Sequence, residues 1–290
     1  MTRLRWLSPL RYPGGKAFLG KDLARVFWTT PEQVEVWIEP FAGGAGAALE
    51  AVVRHDVPEA WLTELNPALA AFWRQALGHG RDLADRVECL RPSLDKFYAA
   101  RRMVADALEN AWVGDEADLA LATLVVNRCS RSGLITPTVG PIGGRSQSGR
   151  WTLLSRWNSQ GLAERLRLVS DLGAMGRLRV DEGDGIETIE SLTESGIEAE
   201  VFVYADPPYT DAGNRLYVRG MTPEQHARLA TALRTCPSPW VASYDASPTV
   251  LALYQNQHVV EIHVRHTAAA NRAGSEYLIS SRSIPEPGVS

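Results

Sequence analysis

Little in this chain points to metal or disulfide chemistry. It has three cysteines in 290 residues, Cys89, Cys129 and Cys236. They are odd in number and far apart, which excludes a disulfide scaffold and offers no zinc spacing. His263 and His266 lie three apart, but their segment reads as a strand. No cysteine or acid stands near them at ligand spacing, so no metal is expected. No apolar run reaches the roughly 18 residues of a membrane span. The N-terminal Met1-Thr2-Arg3-Leu4-Arg5-Trp6 is basic but lacks the apolar stretch of a signal peptide, so a cytoplasmic location is the expectation. Basic charge is not in excess either. The net charge is −4 and the pI about 5.9, which argues against a basic character spread over the whole chain but not against a local basic surface. There is no internal repeat and no low-complexity tract. Hydrophobic residues make up 45% and charged residues 22%, enough for an ordinary buried core. The length suits one large domain, or one domain carrying an inserted second one.

The first organised stretch is Val34–Glu39, which reads as a buried strand. The glycine-rich turn Phe41-Ala42-Gly43-Gly44-Ala45-Gly46 follows, and Ala47–Val53 reads as a helix. A second strand, Ala60–Thr63, ends in Glu64, and Asn66-Pro67 supplies a helix start. This is a β-α-β unit of the parallel-sheet type. Residues from about Leu69 to Asn127 have a helical pattern. From Ser130 to Ser159 the composition turns to Gly, Ser, Thr, Pro and Arg, which predicts irregular structure or a hairpin. Strands return at Arg177–Asp181, Val201–Ala205, Trp240–Tyr244, His258–Arg265 and Glu276–Ser280. Helices are predicted over Pro223–Thr235 and over Pro248–Gln255, the latter capped by Ser247. An α/β fold interrupted by a largely helical insertion is the simplest architecture.

Two segments carry chemistry. A glycine-rich turn between strand and helix lets backbone approach a nucleotide-like ligand, and an acid about 20 residues on can accept from ribose hydroxyls, the place Glu64 occupies relative to Gly43. Alone, this marks an adenosine-containing ligand or an unliganded tight turn. Glu39-Pro40-Phe41 before the turn, and the lack of a G-x-G-x-x-G pattern, favour S-adenosylmethionine over a dinucleotide. The second segment is Asp206-Pro207-Pro208-Tyr209, at the end of an apolar strand where α/β sheets bind ligands. The prolines stiffen the backbone and leave carbonyls as acceptors. The amino group of an aromatic base is a poor nucleophile because its lone pair is delocalised. Two acceptors, the Asp206 carboxylate and the Pro207 carbonyl, would bind both N–H hydrogens and localise that pair, while Tyr209 stacks on the base. An ordinary proline turn is the alternative reading.

With these segments the chain resembles the Dam-type (D12 class) adenine-N6-specific DNA methyltransferases, over nearly its whole length. The resemblance rests on Tyr12-Pro13-Gly14-Gly15-Lys16, Glu39–Gly46 and Asp206–Tyr209 in that order. Asn127–Leu134 is similar to the family's Asn-Arg…Asn-Gly segment and Arg272–Ile279 to its Arg…Glu-Leu-Leu ending. There are two departures. The turn is Phe-x-Gly-Gly-x-Gly, and Arg131-Ser132 stands where an aromatic or Phe-Asn pair is more usual. The resemblance implies a Rossmann-like S-adenosylmethionine-dependent methyltransferase fold, with a catalytic domain over 1–68 and 171–290 and a DNA target-recognition insertion over 69–170. It implies that Tyr12, Gly14, Gly15 and Lys16 border the methionine end of the cofactor. Glu39, Pro40, Phe41, Gly43, Gly44 and Gly46 would wrap it, Glu64 would hold its ribose, and Asp184 would lie near its adenine, with Asp181 and Glu182 as close competitors for that place. Leu65 and Asp206 complete that set.

From Leu119 to Ala163 there is no Asp or Glu, yet Arg128, Arg131, Arg145, Arg150 and Arg156 fall there. With Asn127 they are the expected contacts to double-stranded DNA, from a hairpin able to enter a groove. A solvated loop is the other reading of the arginines. Trp151 and Trp157 are expected to pack in the core, with a wedge between bases as the alternative. The expected activity is site-specific transfer of a methyl group from S-adenosylmethionine to N6 of a flipped-out adenine. Cytosine N4, adenine in RNA and a catalytically inactive nucleic-acid-binding module are the competing readings. A monomer is favoured, and a cognate restriction endonuclease is the partner protein to look for.

Overall fold

Val201–Ala205 (β4) is buried at every residue and has a parallel neighbour on each side. Val36–Glu39 (β1) pairs with it through Val36↔Val201 and Ile38↔Val203, and Trp240–Asp245 (β5) through Val203↔Trp240 and Ala205↔Ala242. A central strand covered on both faces needs an unbroken apolar run, which Val-Phe-Val-Tyr-Ala supplies. In the computed structural model, which describes residues 4–12, 14–30, 34–195, 201–209, 220–266 and 272–284, the remaining strands are Glu59–Glu64 (β2), Leu178–Glu182 (β3), His258–His266 (β6) and Arg272–Ser280 (β7). The sheet order is β3-β2-β1-β4-β5-β7-β6. β7 runs antiparallel to both β5 and β6, and β1 pairs in parallel with β2. This is a doubly wound, Rossmann-like α/β sheet. Chain order reverses between β1 and β4, so the crevice beyond their carboxyl ends is the place where such a sheet binds ligands. Those ends carry Glu39–Gly46 and Asp206–Tyr209.

The chain forms two compact units: Met1–Pro13 with Leu65–Glu182, and Gly14–Glu64 with Gly183–Ser290. The sequence reading places its insertion at 69–170 instead. The second unit includes helices Gly20–Thr29 (α1), Gly46–Arg54 (α2), Gly185–Ser195 (α7), Pro223–Thr235 (α8) and Pro248–Leu253 (α9). Thr222 and Gln225 close a capping box on α8, and the Ser247 hydroxyl accepts from Val250 N–H at the start of α9. α1 and α7 are not anticipated from sequence, and β7 begins four residues earlier than expected.

The first unit is built on Pro67–Cys89 (α3), Leu94–Leu108 (α4), Glu116–Cys129 (α5) and Ser159–Ala174 (α6). Asn66 caps α3, its side chain accepting from Ala68 and Leu69 N–H at 3.0 and 3.3 Å. Two glycines bring α3 and α6 together. A Cβ on Gly80 would lie 2.7 Å from the Leu166 carbonyl oxygen, and one on Gly173 2.7 Å from that of Leu77. The α3 backbone kinks next door, at His79.

Of the two forms expected between Ser130 and Ser159, irregular structure or a hairpin, the structure has the irregular one. A single bridge joins Ser130 to Pro141, followed by a short 3-10 turn at Leu153–Arg156. Pro137, Pro141 and the left-handed Gly143 and Gly144 interrupt any ladder. Gln147 closes the loop instead: its Nε2 donates to the carbonyls of Ile142 and Gly144, and its Oε1 accepts from Leu153 N–H at 2.9 Å. Nor is Trp151 in the core: it is 57% exposed, whereas Trp157 is half-buried and donates to the Leu90 carbonyl.

The close approach of α3 and α6 gives a stability test. Gly80→Leu is expected to lower unfolding free energy by about 2 kcal/mol or more through overpacking. Gly78→Leu, two residues away with open space at its Cβ position, should cost about 1 kcal/mol or less. Urea melts of both variants measure this.

Candidate active site

The glycine turn is anchored at both ends by buried acids. Glu39, the last residue of β1, accepts from Ala48 N–H at 2.9 Å and from Trp37 Nε1–H at 3.3 Å. It thereby takes up one of the unpaired N–H groups in the first turn of α2. Burial, opposed by that bond to Ala48, pushes the Glu39 carboxyl up to about 8. Glu64, the last residue of β2, accepts from Gly43 N–H at 2.8 Å, and Ala42 N–H donates to the Thr63 carbonyl at 3.0 Å. Between these anchors Gly43 and Ala45 are both left-handed, with φ of 47° and 46°. Ala45 carries strain in that conformation that a glycine would not have. Phe41 is half-buried, and Pro40 and Gly44 are buried. Asp184 caps α7, its Oδ1 accepting from Ile186 N–H at 2.7 Å. Gly185 lies against the Pro40 carbonyl, where no side chain fits.

Asp206 stands one residue beyond β4. Lys16 Nζ lies 3.1 Å from its Oδ1 and 3.3 Å from its Oδ2, and also donates to the Gly14 carbonyl at 2.7 Å. Glu276 of β7 meets the same ammonium at 3.6 Å. Lys16 is only 3% exposed, so one buried cation faces two carboxylates. Ser243 of β5 donates to Asp206 Oδ1 at 2.6 Å. Gly14, left-handed at φ 75°, and Gly15 are exposed.

Tyr209 is held by ring contacts. Lys16 Nζ lies 4.9 Å from its ring centroid, and the Tyr244 ring stacks near it at 6.4 Å with planes 26° apart. Tyr244 is steadied in turn by His226, whose Nδ1 is 3.1 Å from the Tyr244 hydroxyl. Pro207 is buried and Pro208 half-buried. The structure therefore gathers Lys16 and the Asp206–Tyr209 segment into one site at the carboxyl end of the central strand. Ser243 and Glu276 also touch it. Sequence reasoning gives neither a role, although Glu276 lies inside the family-like ending Arg272–Ile279.

A family model described as the D12 class N6 adenine-specific DNA methyltransferase matches residues 12–138 and 186–268. The chain belongs to this family. Two solved structures of the rRNA methyltransferase aviRa from Streptomyces viridochromogenes are also similar to it. Each is 14% identical in sequence. One alignment covers 94% of this chain and 90% of the other with a TM-score of 0.43, and the second 93% and 86% with a TM-score of 0.42. No curated protein matches the chain in sequence.

The D12 match includes the segments around Gly14, Gly43, Asn127 and Asp206 but not residues 139–185, which hold Arg145, Arg150 and Arg156. In this D12 methyltransferase Asn127 is not an exposed contact, contrary to expectation. It is fully buried, its amide nitrogen donating to the carbonyls of Arg11 and Gly133 and its oxygen accepting from Arg11 N–H. It brackets two segments of the first unit. Arg131, Arg145, Arg150 and Arg156 are exposed, and Arg150 lies over the Trp151 ring. Arg128 is half-buried and donates to the Arg156 carbonyl. Burial, then the charges of Arg165, Arg11 and Arg156, lower the Arg128 guanidinium to about 10. Burial and Arg156 bring Arg11 to about 10 as well. Arg11 and Arg165, which sequence reasoning passes over, thus join a cluster of mutually repelling cations whose bonds run to the carbonyls of Ser130 and Trp6. Among the described residues, no group of acids, histidines or cysteines is arranged to hold a metal ion, and no helix is long and apolar enough to cross a membrane.

The Glu39 carboxyl makes folding pH-dependent. Between its ordinary value of 4.5 and about 8, the folded protein keeps a proton that the unfolded chain has released, so stability falls as pH rises through that window. Glu39→Gln should flatten this fall by on the order of 1 kcal/mol or more, read as the difference in thermal melting between pH 5 and pH 8.5.

Proposed function

We propose that this D12 methyltransferase transfers a methyl group from S-adenosylmethionine to the N6 amino group of a flipped-out adenine in double-stranded DNA. The observation that carries the reading is Asp206, an ion-paired carboxylate at the end of the central strand, followed by Pro207 and by a Tyr209 ring fixed on Lys16 and Tyr244. Family membership supplies adenine as the expected base.

The donor side fits the residues present. The left-handed Gly43 lets backbone come close to a ligand, and Glu64 and Asp184 offer carboxylate oxygens to hydroxyl and amino donors. Glu39, Pro40, Phe41, Gly44 and Gly46 would complete the wrap, and Gly14, Gly15 and Lys16 would border the methionine end. When bound, S-adenosylmethionine supplies a methyl group on a sulfonium, whose C–S electron pair leaves to sulfur as the N–C bond forms. The chain's own part is to prepare the nitrogen. Asp206 and the Pro207 carbonyl accept its two hydrogens and draw its lone pair out of the ring. Pro208 stiffens the segment, and Tyr209 stacks on the base and orients it. Asp206, at 22% side-chain exposure, then offers a path to water for the proton the nitrogen sheds.

Arg11, Arg128, Arg156 and Arg165 support a polyanion partner. Burial disfavours the charge on Arg11, Arg128 and Arg165, and neighbouring guanidinium groups disfavour it further on Arg11 and Arg128, costs that a phosphate backbone would offset. Arg131, Arg145 and Arg150 extend the cationic surface along an exposed loop.

Transfer of tritiated methyl from S-adenosylmethionine to DNA, followed by digestion to nucleosides, should place the label on N6-methyldeoxyadenosine. Asp206→Ala should lose activity by about a thousandfold or more. Label on cytosine, or on RNA alone, overturns the target, and no label on any nucleic acid overturns the enzyme. Replacing Arg156 and Arg165 by alanine should weaken DNA binding across sequences. The slope of log affinity against log salt should fall by roughly one for each phosphate no longer neutralised.

A further inference from the structure

The Asp206 carboxylate does not stand alone on its strand. Ser243 Oγ is 2.6 Å from Asp206 Oδ1, and the Tyr204 hydroxyl is 3.0 Å from Ser243 Oγ. Tyr204 and Ser243 are both completely buried, so neither hydroxyl has water as an alternative partner. Proton counting fixes the direction of this chain. An ionised carboxylate can only accept, and a serine hydroxyl has one hydrogen, which goes to Asp206. The Tyr204 hydroxyl must therefore donate to Ser243. Burial, followed by the nearby Asp206 charge, pushes the Tyr204 hydroxyl well above its usual range, so it keeps that hydrogen. A hydroxyl that accepts one bond becomes a better donor in the next, so the two bonds reinforce each other.

The two carboxylate oxygens have different donors. Oδ1 accepts from Ser243, and Oδ2 accepts from Lys16 at 3.3 Å. The Gly14 carbonyl takes a second hydrogen of the ammonium, which also lies 3.1 Å from Oδ1. We infer that Tyr204 and Ser243 are positioning residues of the methyl-transfer reaction: their relay fixes Asp206 Oδ1 while Lys16 holds Oδ2, and this two-point hold sets the plane of the carboxylate for the amino group of the target base. This rests on the function proposed above, and it adds two residues from the floor of the site. The hydrogen-bond path from Tyr204 to Asp206 runs through Ser243, so its positioning effect acts in series with that of Ser243.

Steady-state methyl transfer by the full-length protein tests the relay. Ser243→Ala is expected to lower kcat about tenfold, with KM for S-adenosylmethionine and for DNA within about twofold of wild type, because a bond to a charged acceptor is removed while the binding surfaces remain. Tyr204→Phe alone should lower kcat about threefold, and in the Ser243→Ala background it should lower it no further. Independent structural roles would instead multiply. Ser243→Cys keeps the volume and replaces a strong donor by a weak one. It should fall between wild type and alanine, and it stands in for the alanine variant if circular dichroism shows that variant unfolded. Wild-type kcat in folded Ser243→Ala or Ser243→Cys, or multiplying losses in the double variant, would overturn the relay while the methyltransferase reading stands. A wild-type protein that methylates no nucleic acid would overturn both.

Discussion

One buried ammonium organises the candidate active site of this protein. Lys16 reaches the carbonyl of its own glycine turn, the Asp206 carboxylate and the Glu276 carboxylate. These belong to three stretches of chain far apart in sequence: an N-terminal loop, the end of the central strand and an antiparallel strand near the C-terminus. A lysine at 3% exposure is tolerated only because acceptors surround it. Removing one partner of such a pair costs several kcal/mol by leaving the other charge buried. The same ammonium sits over the Tyr209 ring. The placement of the Asp206 carboxylate and of the Tyr209 ring thus depends on one charge.

The glycine turn is held in a similar way. Glu39 and Glu64 each give an oxygen to a backbone N–H, of Ala48 and Gly43 respectively. The turn is braced from below by side chains of two neighbouring strands, so its shape does not wait on a ligand. Asp184 does the same at the head of α7.

Much of this is legible in sequence because it is written in local terms. Asn66-Pro67, Ser247-Pro248 and the apolar Val201–Ala205 each announce an element through capping, fixed φ or two-sided burial. The acids after strands and the Asp-Pro-Pro-Tyr segment likewise mark a site through position alone. What stays hidden depends on strand adjacency and long-range packing. Ser243 looks like any strand serine until β5 is known to lie beside β4, and Arg11 and Arg165 lie outside the acid-free stretch that draws the eye. Asn127 misleads in the opposite sense. An asparagine beside an arginine in a basic segment reads as a contact, yet its amide is consumed by Arg11 and Gly133. Composition leaves Ser130–Ser159 open between irregular structure and a hairpin, because glycine and proline content signals a reversal of the chain but not whether backbone or side chain closes it.

The loop closed by Gln147 shows what that difference means. A ladder of paired strands carries a register, and one inserted residue turns every following side chain to the opposite face. A loop clasped by a single glutamine carries none. Its exposed tip, with Arg145 and Arg150, can lengthen, shorten or change composition while the clasp at Ile142, Gly144 and Leu153 stays shut. The chain has in this way separated the part of its surface free to vary from the part that must hold still.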